Sequence, residues 1–273
     1  MSGERLPEFS LDGRVALVTG GGRGIGHAIA STLAEAGADV AVAARTRSEI
    51  DSVADEIRAL GGRSVAIPTD VSISSEVDAM VATAERELGP VDILVNNAGA
   101  HITVPLVPIP GRPLGPPQVS RVADHPLTNG EWDLIYTTNI NSVMFGCRAV
   151  APGMLDRRYG KIINISSRTA QQAVEYAAPY NSSKAAVNML TRVLALEWAS
   201  HGIRVNAIGP GDFKTQMNPL DDPRERARMM ARVPMGVPGR LRDLGLLAVY
   251  LASPASDYMT GQVVYLDGGD TAR

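Results

Sequence analysis

A short apolar run that ends in glycines and leads straight into an amphipathic helix is the feature that most limits what this chain can fold into. Residues 14–19 read Arg-Val-Ala-Leu-Val-Thr, glycines follow at 20, 21, 22, 24 and 26, and residues 25–36 carry apolar side chains along one helical face. The unit is strand, Gly-rich turn, helix. It recurs: strands are predicted at 40–44, 64–68, 93–96, 161–166, 204–208 and 262–266. Between them lie predicted helices at 48–60 and 74–88, a long one after 129, and others at 179–200 and 242–252.

Strands that are apolar throughout must be covered on both faces, and a parallel connection covers them by laying a helix back on the sheet. The expectation is an α/β chain with a doubly wound, Rossmann-type parallel sheet of about seven strands. With 273 residues, 45% of them hydrophobic, the chain can bury one full core, so residues 1–273 are expected to form a single domain. One segment breaks the rhythm. Residues 100–130 hold seven prolines (105, 108, 110, 113, 116, 117 and 126) and no periodicity, which marks a Pro-rich insertion.

The net charge of −3 is spread along the length, with no basic stripe, which argues against nucleic-acid and membrane partners. No apolar run is long enough for a membrane span, and residues 1–10 lack the apolar core of a signal peptide. A cytoplasmic location is expected. The single cysteine, Cys147, excludes an internal disulfide and sits in an apolar stretch where a packed, inert thiol is expected. The four histidines (27, 101, 125 and 201) are scattered, so no metal site is expected.

The first turn, Thr19-Gly20-Gly21-Gly22-Arg23-Gly24-Ile25-Gly26, has the chemistry of a pyrophosphate cradle: bare amides, a sharp bend and tight helix packing. Tyr180 and Lys184 stand four residues apart, so a helix puts them on one face, where the ammonium is expected to lower the phenol's pKa toward neutrality. Ser167 precedes Tyr180 by thirteen residues, at the carboxyl end of a predicted strand, where open α/β sheets border their ligand crevice.

Thr19-Gly-x-x-x-Gly24-x-Gly26, Asn96-Asn97-Ala98-Gly99, Ser167 and Tyr180-x-x-x-Lys184 stand in the order and spacing of the short-chain dehydrogenase/reductase family, which the chain resembles over nearly its whole length. The resemblance implies an oxidoreductase that moves a hydride between a nicotinamide and a carbonyl or secondary alcohol, with Tyr180 as general acid/base. It implies that Ser167 hydrogen-bonds the substrate oxygen, that Lys184 also holds the nicotinamide ribose, and that Asn139 supports a water leading to Lys184. Neighbouring Asn141 competes for that last role, Ser166 competes with Ser167, and Tyr176 competes more weakly with Tyr180. The cofactor site implied comprises Gly20, Arg23, Gly24, Ile25, Gly26, Arg45, Asp70, Val71, Asn97, Ala98, Gly99, Tyr180, Lys184, Pro210, Gly211 and Thr215. Asp70 is equally placed to organise the start of the next helix. A homotetramer is the family's usual assembly, with residues 261–269 packing between subunits.

An acid at the end of the second strand would hold the ribose hydroxyls of NAD, but this chain reads Ala43-Ala44-Arg45 there. Arg45, with Arg23 in the glycine turn, favours NADP(H) and leaves NAD(H) possible. Arg168, Gln171, Gln172, Glu175 and Tyr176, between Ser167 and Tyr180, suggest a polar small-molecule substrate. Residues 194–199, 211–215 and 260–262 resemble family members that oxidise or reduce sugar acids, which implies that substrate class. Similarity to 3-oxoacyl reductases is nearly as strong. The competing reading is a nucleotide-binding regulator of the same fold that has lost turnover; a metal-dependent dehydrogenase is a poorer third. The insertion is expected to be a lid or a subunit-contacting arm, offering His101, Arg112, Arg121 and His125 to polar substrate groups.

Overall fold

The computed structural model describes residues 6–112 and 122–272. Seven strands form one parallel sheet: β1 (Val15–Thr19), β2 (Asp39–Ala44), β3 (Ser64–Pro68), β4 (Ile93–Asn96), β5 (Gly160–Ile165), β6 (Ile203–Pro210) and β7 (Val263–Leu266). Their order is β3-β2-β1-β4-β5-β6-β7, with every pair parallel. The expected α/β doubly wound sheet is present.

Strands β1 to β6 divide their side chains between two cores, as the two-residue strand period requires. From β1, Ala16 and Val18 face a layer made by α1 (Gly24–Glu35), α2 (Arg47–Ala59) and α8 (Leu241–Ala252), while Val15 and Leu17 face the opposite layer. That second layer is α3 (Ser74–Leu88), α5 (Ser142–Arg157) and α6 (Ala178–Trp198). Cys147 lies in the second core, where burial pushes its thiol up to about 12, so it is inert as a nucleophile. Among the described residues no helix is long and apolar enough to cross a membrane.

Sheet order reverses direction between β1 and β4. From β1 the chain winds outward to β3, then returns to the other side of β1 and winds the opposite way. The carboxyl ends of β1, β4, β5 and β6 therefore border an open crevice, because the loops leaving β1 and β4 depart to opposite faces. The long predicted helix after residue 129 is α4 (Asn129–Tyr136) running through one π-helical turn, Thr137–Asn141, into α5. Thr128 and Glu131 start it with a reciprocal capping box.

Candidate active site

At the end of β1, Gly20 adopts φ +63°, and a Cβ there would stand 2.9 Å from both Ala98 Cα and Asn97 Nδ2. A Cβ on Gly26 would collide with the Gly20 carbonyl oxygen, so helix α1 can lie this close to the turn only with glycine there. Asn97 fastens the turn: Nδ2 donates to the carbonyls of Thr19 (2.9 Å) and Gly20 (3.0 Å), while the Asn97 and Ala98 amides donate to Thr19 Oγ1 at 3.0 and 3.2 Å. No side chain caps α1, which leaves the first-turn amides of Gly24, Ile25 and Gly26 for an anion. From β6, Gly211 donates its amide to Leu266, one residue beyond Pro210, and the Thr215 methyl closes to within 3.5 Å of a Cβ on Gly24. Bare backbone at a helix start, with an enclosing loop, fits a dinucleotide.

Around that cradle, Arg45 is exposed at the end of β2 and forms no hydrogen bond or ion pair with a described residue. Arg23, the second expected cation, is shared with a carboxylate, its Nη1 lying 3.2 Å from Glu49 Oε1. Asp70 accepts from the Ser72 amide (2.9 Å) and hydroxyl (2.7 Å), and these bonds hold its carboxyl below its usual range, with Arg45 adding a smaller effect. It thus organises the approach to α3, whose own N-cap, Ile73, makes no side-chain cap. Val71 is 8% exposed and packs into the second core.

The sequence-predicted catalytic residues converge in one place. Asn139 is fully buried in the π-turn: its Oδ1 accepts from the Ala100 amide (2.7 Å), and its Nδ2 donates to the Ala100 carbonyl (2.9 Å) and to Ser183 Oγ (3.1 Å). Asn141 is exposed. A Cβ on Gly99 would stand 3.4 Å from Asn139 Oδ1 and 3.6 Å from Lys184 Nζ, which ties Gly99, Asn139 and Lys184 together. Ser167, just past β5, accepts from the Thr169 amide (3.2 Å) and hydroxyl (3.0 Å), and its own hydroxyl meets the Tyr180 phenol. Ser166 instead turns to the Lys184 carbonyl (3.4 Å) and Tyr176 sits at φ +62°, its carbonyl holding the Val104 amide (2.7 Å). The Ser166 hydroxyl thus points away from the hydroxyl pair.

The expected effect of Lys184 on Tyr180 is corrected. Lys184 is buried, donates Nζ to the Ile165 carbonyl at 2.8 Å, and stands 5.8 Å from the Tyr180 ring centroid. Burial lowers its pKa to about 8. The phenol is raised by burial, and what opposes that rise is the Ser167 hydrogen bond and then the positive charge of Arg168. In this state Lys184 is turned to the backbone, so the same helical face does not by itself bring the two groups into contact.

Arg168 is a second correction. Expected at the substrate face, it turns inward, with Nε 3.2 Å from Asp270 Oδ2 and 3.9 Å from Asp212 Oδ2. Arg232 reaches the same carboxylates, at 2.6 Å from Asp212 and 3.3 Å from Asp270, and Gln172 donates to the Asp270 carbonyl at 2.8 Å. Sequence reasoning missed this cluster, since its members are far apart along the chain. Of the insertion's polar residues, His101 stands edge-on to Tyr180, with centroids 4.6 Å apart, and desolvation of its ring lowers its pKa. Arg112 pairs with Glu175 at 3.0 Å, His125 lies 3.6 Å from Glu131, and Arg121 falls outside the described residues.

A phenol with a partner hydroxyl, a buried lysine and a glycine cradle thus meet at one switch point of the sheet. The chain matches the short chain dehydrogenase family over residues 14–225. It belongs to that family. It is 37% identical over 265 residues to gluconate 5-dehydrogenase of Gluconobacter oxydans, covering 96% of each chain. It is also 37% identical over 267 residues to 3beta-hydroxysteroid dehydrogenase 1 of Eggerthella lenta, covering 96% of this chain and 95% of that one. The solved structure of a gluconate 5-dehydrogenase from Burkholderia cenocepacia, in complex with NADP and tartrate, matches with a TM-score of 0.88 at 36% identity, over 98% of this chain and 99% of that one.

Proposed function

We propose that this chain is an NADP(H)-dependent dehydrogenase/reductase that interconverts a ketone and a secondary alcohol on a polar, carboxylated substrate of the sugar-acid class, with Tyr180 as the proton-transfer group. The observation that carries the reading is the meeting of the Ser167 hydroxyl with the Tyr180 phenol at the carboxyl end of β5, beside Lys184 and Asn139. When bound, the nicotinamide supplies or takes the hydride. The chain's own residues do the rest. Ser167 orients the reacting oxygen, Tyr180 gives it a proton in reduction or takes one in oxidation, and Asn139 holds the Ala100 backbone that carries His101 over the phenol.

Arg45 supports NADP(H), since an unpaired guanidinium at the end of β2 suits a 2'-phosphate and the residue before it is Ala44 rather than an acid. The similarity to gluconate 5-dehydrogenases supports the sugar-acid class. The polar residues between Ser167 and Tyr180 support it less than expected, because Arg168 and Gln172 turn inward and Glu175 is paired. His101 is the polar group left beside the phenol. A panel of keto sugar acids, 3-oxoacyl thioesters and 3-ketosteroids, each with NADPH, tests the assignment. The keto sugar acids are expected to give the highest kcat/KM, and preferred turnover of a steroid or an oxoacyl thioester would overturn the substrate class.

A homotetramer is part of the proposal. Between α6 and β7 lies a groove of about 950 Å³, lined among others by Met189, Leu196, Val263 and Tyr265, with Met189 56% and Leu196 84% exposed. A second copy of the chain suits that partly apolar surface, where Met189 and Leu196 stand out among polar neighbours such as Arg192 and Gln262. Light scattering is expected to give the mass of four chains, and a monomer mass would remove this part. A reducing, cytoplasmic setting suits the lone buried thiol.

A further inference from the structure

We infer that Arg168, held between Asp212 and Asp270 with Arg232 beside them, is a positioning residue for proton transfer: the cluster fixes the Ser167 loop and sets the potential at the Tyr180 phenol. Side-chain exposures of 9% for Arg168, 7% for Asp212, 2% for Asp270 and 26% for Arg232 make this a largely buried ion network. Such a network is a poor device for stability alone, because apolar replacements of similar volume are often as stable. Its place in the fold suggests another use. Arg168 directly follows Ser167; Asp212 lies in the loop leaving β6, between Gly211 and Thr215; Asp270 lies near the C-terminus; and Arg232 follows α7 (Pro223–Met230). Three other segments are thereby gathered around the residue next to the serine, two through their carboxylates and the third, that of Arg232, through those same carboxylates.

Among the described residues, the charged and titratable groups that face the phenol come from three elements. Lys184 lies on α6, His101 on the loop after β4, and Arg168 on the turn after β5. Behind Arg168 stand Asp212, Asp270, Arg232 and Asp267; Asp267 is itself held by the Gly269 and Thr271 amides and the Thr271 hydroxyl. The carboxylates hold the guanidinium where its charge favours phenolate, opposing the effect of burial. Alcohol oxidation needs that phenolate to accept the proton. Reduction needs the phenol.

The inference rests on Tyr180 as the proton-transfer group, and signed pH shifts test it. The pH profile of kcat/KM is measured for oxidation of the secondary alcohol that turns over fastest, with NADP, and thermal unfolding is followed in parallel. Arg168→Met should move the acidic limb to higher pH, lowering kcat/KM at neutral pH several-fold, and Arg168→Lys should restore most of it. Asp270→Asn, which uncovers the guanidinium, should move the limb the opposite way, and Arg168→Met with Asp270→Asn together should fall near the starting profile. If Arg168→Met does not fold, Arg232→Gln should shift the limb in the same direction by less. Variants that lose thermal stability but keep an unmoved limb, or that shift it without regard to the sign of the charge removed, would overturn the inference. Failure of the wider functional reading looks different, since Tyr180→Phe would then keep its turnover.

Discussion

Lys184 is held at a cost. A lysine whose folded pKa is about 8 against an ordinary 10.5 is disfavoured in the folded chain, because burial penalises its charge. At about 1.4 kcal/mol per unit, the penalty is about 3 kcal/mol at pH values below the folded pKa. Between about pH 8 and 10.5 the unfolded chain binds more protons than the folded one, so stability rises with pH and the penalty fades. Lys184→Met is therefore expected to raise the Tm of the cofactor-free protein at pH 7, with a gain that shrinks above pH 8, while turnover is lost. A Tm that falls, or a gain independent of pH, would show that the Ile165 hydrogen bond outweighs burial. Arg45 belongs to the same scale. Replacing Arg45 with Asp and Arg23 with Ser should move preference toward NAD(H), with lost phosphate contacts worth roughly 1.5–3 kcal/mol each. Arg45 should dominate, since Arg23 is already shared with Glu49. Equal use of NADH by the unmodified protein would contradict the argument.

Among the elements, the strands and most helices were legible because each buries a continuous face. The expected spans 64–68, 74–88 and 93–96 coincide with β3, α3 and β4, and the other strands and helices differ by at most two residues at either end. Helix α7 was not foreseen: in Pro-Arg-Glu-Arg-Ala-Arg-Met-Met only Met230 is buried, so no apolar period exists, and the start signal is the Asp222 cap followed by Pro223. The π-turn was equally hidden. One extra residue per turn leaves no mark on composition, yet that turn is where Asn139 is buried and Asn141 is exposed. Tyr180 and Lys184 were legible because four residues within one helix fix their relation, whereas Arg168 and Asp270 meet only through tertiary packing. The Pro-rich insertion is visible at its stem, where Val104 donates to Tyr176, Ala123 to Thr103 and Leu127 to Pro105. The expected lid falls largely on residues 113–121, which lie outside the described residues.

For the molecule as a whole, the two-sided core and the reversal of strand order place every proposed functional group along one edge of the sheet. The glycine turn follows β1, Asn97 to Gly99 follow β4, Ser167 follows β5, and Pro210 and Gly211 close β6. Tyr180 and Lys184 reach that edge from α6, and Asn139 from the turn between α4 and α5. Cofactor binding and proton transfer are thereby assigned to different atoms of one crevice, and they should separate under mutation. The central claim, that Tyr180 moves the proton in an NADP(H)-dependent reaction, is tested most directly by comparing Tyr180→Phe with the unmodified protein in two measurements: NADPH affinity by fluorescence, and single-turnover reduction of the best ketone. Removing the hydroxyl and keeping the ring is expected to leave NADPH affinity within a few-fold and to lower the chemical step by orders of magnitude, with kcat and kcat/KM falling together. Turnover close to that of the unmodified protein, with NADPH still bound, would contradict the account.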